Sequence, residues 1–150
     1  MEKTRLYIGS DHAGFKLKQK VARFLQKKKI IFEDLGNKKY QKNDDYPDYA
    51  KKVGQAVQKN KDSFGILACG SSQGVAIAAN KIKGIRATPV FDVKQAKQVR
   101  EHNNANVLCL SGWYTKEKDA QKIINTFLKT KFSKASRHKR RISKISKMER

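Results

Sequence analysis

Short apolar runs alternate with helical periodicities along the whole chain. "RLYIGS" (5–10) reads as a buried strand, and Leu17, Val21, Phe24 and Leu25 then fall at i, i+4, i+7 and i+8, one face of a helix. "IIFEDLG" (30–36) predicts a second strand, followed by the polar loop "NKKYQKNDD". Tyr46–Pro47 opens the next helix, since proline suits a first turn, with Val53, Ala56 and Val57 inward. "FGILAC" (64–69) is a third strand and Gly74 to Ile82 a short apolar helix. "IRATPVF" (85–91) predicts strand four, Val93–His102 a polar helix, and "NVLCL" (106–110) strand five. Ala120, Ile123, Ile124, Phe127 and Leu128 give a clear helical face, and a basic helix over Ser136–Met148 would turn Ile142, Ile145 and Met148 inward.

Strands alternating with helices predict an α/β fold: a doubly wound, Rossmann-like three-layer αβα sandwich over residues 1–150, read as one domain. Its five-stranded parallel sheet is expected in the order 2-1-3-4-5, with a C-terminal basic helix. Such a sheet binds ligands at the carboxyl ends of its strands, where the chain changes direction between strands one and three. Strand one ends in "GSDHAG" (9–14) and strand three in "CGSSQG" (69–74), so the two segments richest in chemistry are expected to be neighbours.

Composition changes this picture little. No apolar stretch approaches the ~20 residues of a membrane span, and the N-terminal residues leave no room for a signal peptide before the first strand. Two cysteines make no disulfide framework, which points to the cytoplasm. Net charge is +22, of which residues 129–150 carry +9, so the basicity is not confined to a tail. It favours an anionic ligand. A nucleic-acid partner is disfavoured, because aromatic residues are not interleaved with the lysines and arginines.

Gly70 and Gly74 let the backbone of 70–74 curl into an anion-binding nest at a helix start. Cys69 ends the strand beside it, a position that favours the thiolate and suits a nucleophile or a base. Cys109, inside "NVLCL", reads as core. Asp11 and His12 face Cys69 across the crevice, although "SDH" is also ordinary capping sequence. Arg137 and Arg141, at i and i+4, suit a phosphate through their forked guanidinium groups. Neither a nicotinamide fingerprint, nor a Walker loop, nor a zinc-ligand spacing is present.

"GSDHAGFKLK", "DYPDYA" (45–50), "CGSSQGVAIAANKIKGIRA" (69–87), "EHNNANVL" (101–108) and "SRHKRRI" (136–142) together resemble the ribose-5-phosphate isomerase B family and the related allose- and galactose-6-phosphate isomerases. The resemblance implies interconversion of ribose 5-phosphate and ribulose 5-phosphate through a cis-enediolate, with no metal or organic cofactor. It makes Cys69 the base; glutamate-type members carry theirs where this chain has Val75. Ser71 and His102 would assist ring opening, with His102 as proton donor. Asp11, His12, Gly70, Ser71, Ser72, Gln73, Gly74 and Asn103 would hold hydroxyls and the enediolate, and Arg137 and Arg141 the phosphate, with His138 nearby. Where the family carries a phosphate-binding arginine after strand five, this sequence has Trp113, which cannot pair with a phosphate charge. A six-carbon sugar 6-phosphate is the alternative substrate, and RNA binding by the basic helix a more remote one. His102 precedes strand five and Cys69 ends strand three, so roughly 16 Å of strand separates them at ~3.3 Å per residue. That separation, with the dimeric habit of the family, predicts sites shared between two subunits of a homodimer, or of a tetramer built from dimers.

Overall fold

The computed structural model describes residues 5–150 and contains a five-stranded parallel sheet. Strands β1 (Leu6–Ser10), β2 (Glu33–Asp34), β3 (Phe64–Cys69), β4 (Ala87–Pro89) and β5 (Val107–Ser111) alternate with α1 (Phe15–Lys27), α2 (Tyr46–Lys59), α3 (Gln73–Ala79), α4 (Val93–Asn103) and α5 (Glu117–Lys129). Helix α6 (Ser136–Ser146) follows.

Alternate strand residues feed two cores, which explains why the strands read as unbroken apolar runs. Leu6, Ile8, Ile66, Ala68, Leu108 and Leu110 pack with the inward faces of α1, α4 and α5. Tyr7, Leu67, Cys69, Val107 and Cys109 turn the other way, towards α2 and α3. The three layers are as expected.

The strand order is not. It is β2-β1-β3-β5-β4, so β5 and not β4 lies beside β3, correcting the expected 2-1-3-4-5. Burial and hydrogen bonding explain the exchange. All five residues of β5 are buried, and both of its edges are paired, Gly65↔Val107 through Cys69↔Ser111 on one side and Ala87↔Val107 through Pro89↔Cys109 on the other. β4 is three residues long and contains Pro89, whose missing N–H suits an edge. Strands β1 and β3 remain neighbours, Leu6↔Phe64 through Ser10↔Ala68, so the crevice stays where the sequence puts it.

Two elements depart from their expected form. β2 pairs over two residues only, and Ile31 is exposed; the segment is held instead by buried Lys18, which donates to both carboxylate oxygens of Asp34 at 2.7 and 2.8 Å. On α6 the buried side chain is His138, whereas Ile145 and Met148 are exposed and line an open cleft beside Asn80 and Asn103. The helix rests chiefly on α4 and need not cover a full apolar stripe.

Candidate active site

A cleft of about 410 Å³ opens at the carboxyl ends of β1, β3 and β5, lined by Asp11, His12, Ala13, Tyr46, Cys69, Gly70, Ser71, Gln73, Gly74, Ile77 and Trp113. Its size falls in the range of pockets for small metabolites. Seven of the expected site residues thus meet in one place. Cys69 lies at the base, only 3% exposed. Cys109 sits deeper on the same face of the sheet, where burial, and secondarily Cys69, push its thiol far up, so it stays protonated. Val75 is fully buried among apolar side chains, which leaves position 75 without the carboxylate that glutamate-type relatives use.

The 70–74 loop is held from two sides. Gly112 N–H donates to the Cys69 carbonyl at 2.8 Å, and Trp113 N–H and Ser111 Oγ donate to the Gly70 carbonyl at 3.1 and 2.6 Å. A Cβ on Gly70 would fall inside the Trp113 indole, and one on Gly74 would strike the Tyr46 ring. Both positions therefore need glycine for space. Ser72 takes a left-handed conformation (φ +69°), is fully buried, and is not among the residues lining the cleft, which leaves its backbone rather than its hydroxyl for the 70–74 nest.

Asp11 and His12 leave β1 as a turn into α1. Asp11 Oδ1 accepts from Gly14 N–H at 3.0 Å, closing the turn ahead of α1, whose N-cap is Gly14. Burial raises the Asp11 pKa; the Gly14 bond and the His12 charge only partly oppose it. His12 is fixed by a residue the sequence did not single out. Asp44 Oδ1 accepts from the His12 backbone N–H at 2.9 Å and lies 2.8 Å from its Nδ1, and Asn37 Nδ2 donates to the other oxygen at 3.3 Å. With Nδ1 engaged, Nε2 is the nitrogen left for a ligand. Asp11, His12 and Asp44 lie within 4.8 Å of one another, and these hydrogen bonds account for the cluster. Only the sheet, by setting the loop after β2 beside the loop after β1, brings Asp44 within reach.

The hydrogen bond to Asp44 raises the His12 pKa above its ordinary 6.5; burial opposes it, and the Asp11 charge adds to the rise. Burial pushes the Asp44 carboxyl up, but the His12 and Asn37 bonds outweigh it and leave the pKa lowered. The signs define a window. A raised imidazole stabilises the fold fully below its unfolded pKa and ceases to do so as pH rises through the folded value. A lowered carboxylate contributes above 3.8 and loses that contribution as pH falls through its folded value. The stability lost in Asp44→Asn should therefore be greatest between these limits and shrink in alkaline solution. NMR titration should find the His12 midpoint above 6.5 in the native protein and lower in the variant. An unshifted midpoint would contradict the pairing.

The remaining expected residues form a second group at the other end of the sheet. Asn106, close after α4, accepts from Gly65 N–H at the start of β3, which places His102 and Asn103 at the amino ends of the strands. His102 stacks on His138 with centroids 4.6 Å apart. His138 Nδ1 lies 2.7 Å from Ser133 Oγ. Its pKa is lowered, first by burial and then by the charges of Arg137, His102 and Arg141, so these groups form one electropositive cluster. Among the described residues, neither arginine has a carboxylate within ion-pair distance. The cleft around Cys69, conversely, is lined by no Lys or Arg, although the chain carries +22.

A doubly wound α/β sheet with a thiol, an Asp–His pair and a glycine-rich loop at its β1/β3 crevice defines a small-molecule enzyme without a dinucleotide fold signature. The ribose/galactose isomerase family model matches residues 6–145, and the chain belongs to that family. It is 45% identical over 145 residues to a probable ribose-5-phosphate isomerase B of Mycoplasma genitalium, covering 96% of this chain and 95% of the relative. A crystal structure of ribose-5-phosphate isomerase B from the same organism, with bound ribulose 5-phosphate, superposes with a TM-score of 0.92 at 43% identity, covering 99% of this chain and 97% of the other. The ribose 5-phosphate isomerase from Thermotoga maritima gives 0.92 at 45% identity over 97% and 99%.

Proposed function

We propose that this chain, as one domain over 1–150, is an aldose–ketose isomerase interconverting ribose 5-phosphate and ribulose 5-phosphate, in the manner of the pentose phosphate pathway. The observation that carries this reading is the cleft joining Cys69 to Asp11, His12 and the 70–74 loop in a member of this family. In the open-chain aldose the Cys69 thiolate takes the proton from C2, and the electrons flow onto the C1 oxygen to give a cis-enediolate. The C2 hydroxyl proton then passes to the C1 oxygen, and the thiol returns its proton to C1 as the C2 oxygen becomes the ketone. Backbone N–H groups of 70–74 and the His12 imidazole hold the negative oxygen as charge develops. Asp11, Ser71, Gln73 and Asn103 hold hydroxyls, and Ser71 with His102 assists ring opening, His102 giving the proton.

The active unit is a cytoplasmic homodimer, or a tetramer of such dimers, with His102, Asn103, Arg137 and Arg141 of one subunit serving the Cys69 cleft of the other. Supporting this are the absence of Lys and Arg from the cleft and the cluster of arginines beside His102, without a carboxylate in ion-pair distance among the described residues, at the far end of the sheet. No helix among the described residues is long and apolar enough to cross a membrane. A coupled assay without added metal should show much faster turnover of ribose 5-phosphate than of allose 6-phosphate; the reverse would make the six-carbon sugar the substrate. Arg137→Ala and Arg141→Ala should mainly raise KM, because phosphate contacts persist from ground to transition state. Normal isomerase kinetics in both variants would free the basic helix for another ligand.

A further inference from the structure

Trp113 lines the cleft beside Cys69 and Gly70, yet is 66% exposed. An indole so open to water and so close to a nucleophile is costly unless something covers it. Its backbone is tightly held. The backbone hydrogen bonds from Gly112 and Trp113, with that of Ser111 Oγ, bind the turn after β5 to the loop after β3, and the ring occupies the space that a side chain on Gly70 would need. Tyr114 supports it edge-on, with centroids 6.2 Å apart and planes at 81°. Exposed Ile77 and Tyr46 line the same cleft. The cleft therefore has polar lining from Asp11, His12, Ser71 and Gln73, and apolar lining largely from the indole.

Resting on the isomerase reading, we propose that Trp113 is a substrate-binding wall that packs its ring face against the C–H groups of the sugar's carbon chain. An indole has no charge to offer a phosphate, and the cleft is lined by no Lys or Arg, with His12 in its polar lining, so the phosphate points away from the indole, towards the arginines outside the cleft. The part of the ligand left to lie within the cleft is the hydroxylated carbon chain. Its hydroxyl edges meet the polar lining, and its C–H edges meet the ring. This division follows the usual pattern of pockets, in which apolar area supplies affinity and a few polar groups fix orientation.

Trp113 is the only tryptophan in the chain, so its emission reports on this wall alone. Titrating the full-length assembly with ribulose 5-phosphate should change indole emission saturably, with a midpoint matching that found by calorimetry. Trp113→Ala should raise KM about tenfold with kcat within about threefold, the signature of contacts made equally in ground and transition states, and Trp113→Phe should restore most of the loss. Three results would overturn the wall: calorimetric binding with unchanged emission, an unaltered KM in Trp113→Ala, or loss of activity through dissociation of the assembly in sedimentation. If the native protein binds ribulose 5-phosphate but does not isomerise it, the isomerase reading fails while the emission experiment still decides the wall.

Discussion

Alanine at position 69 should lower kcat by at least ~10²-fold, the loss expected on removing a general base. Two candidate replacement bases are closed off. The carboxylate position of glutamate-type relatives is occupied by Val75, sealed in the core. Cys109 lies on the same face of the sheet but is fully buried and held as the thiol. The fold should survive, since alanine fits the space at the end of β3 and deleting one buried sulfur costs on the order of 1 kcal/mol. In the native protein, solvent deuterium should enter C2 of recovered ribose 5-phosphate, and the variant should lose both turnover and exchange. Near-native turnover in Cys69→Ala would end the proposed mechanism.

Activity should return when two inactive variants are mixed. Cys69→Ala and His102→Ala, each dead as a homodimer, should form a hybrid with one doubly damaged site and one site carrying both intact residues. With random reassembly about half of the dimers are hybrids, each with one working site, so about a quarter of native activity is expected if the sites act independently. The physical basis is the separation of the two groups: Cys69 pairs in register with Ser111 at one end of β5, while His102 precedes Val107 at the other. Five residues at ~3.3 Å each place the ends roughly 16 Å apart, beyond the reach of an imidazole. Persistent inactivity despite proven subunit exchange would require a site complete within one subunit.

The sequence made much of the site legible. Cys69, Gly70, Ser71, Gln73 and Gly74 sit on one loop, and Asp11 and His12 on another, each at the end of a strand whose apolar run is hard to mistake. Asp44 was hidden, because nothing local distinguishes it from its neighbours in a polar loop. Its role depends on a bond to His12 across 32 residues. The side-chain orientation of Ser72 was hidden for the opposite reason: the loop motif is local, but which of its hydroxyls turns inward is set by one left-handed residue.

Periodicity by itself determined the layers, the parallel sheet, the pairing of β1 with β3 and hence the place of the crevice, because these depend on which residues must leave water. The motifs at the strand ends and in the basic helix, not the periodicity, carry the resemblance that names the chemistry. The order of the last two strands lay beyond the periodicity. Both β4 and β5 read as short apolar strands, and only their competition for the place beside β3 decides between them, with Pro89 and the complete burial of β5 settling the outcome. That single exchange moves the turn after β5 next to Gly70. It makes Trp113, which an edge position for β5 would have left remote, a wall of the cleft. Local pattern fixes what a segment is; which segment lies beside it is decided by the whole molecule's burial and hydrogen bonding at once.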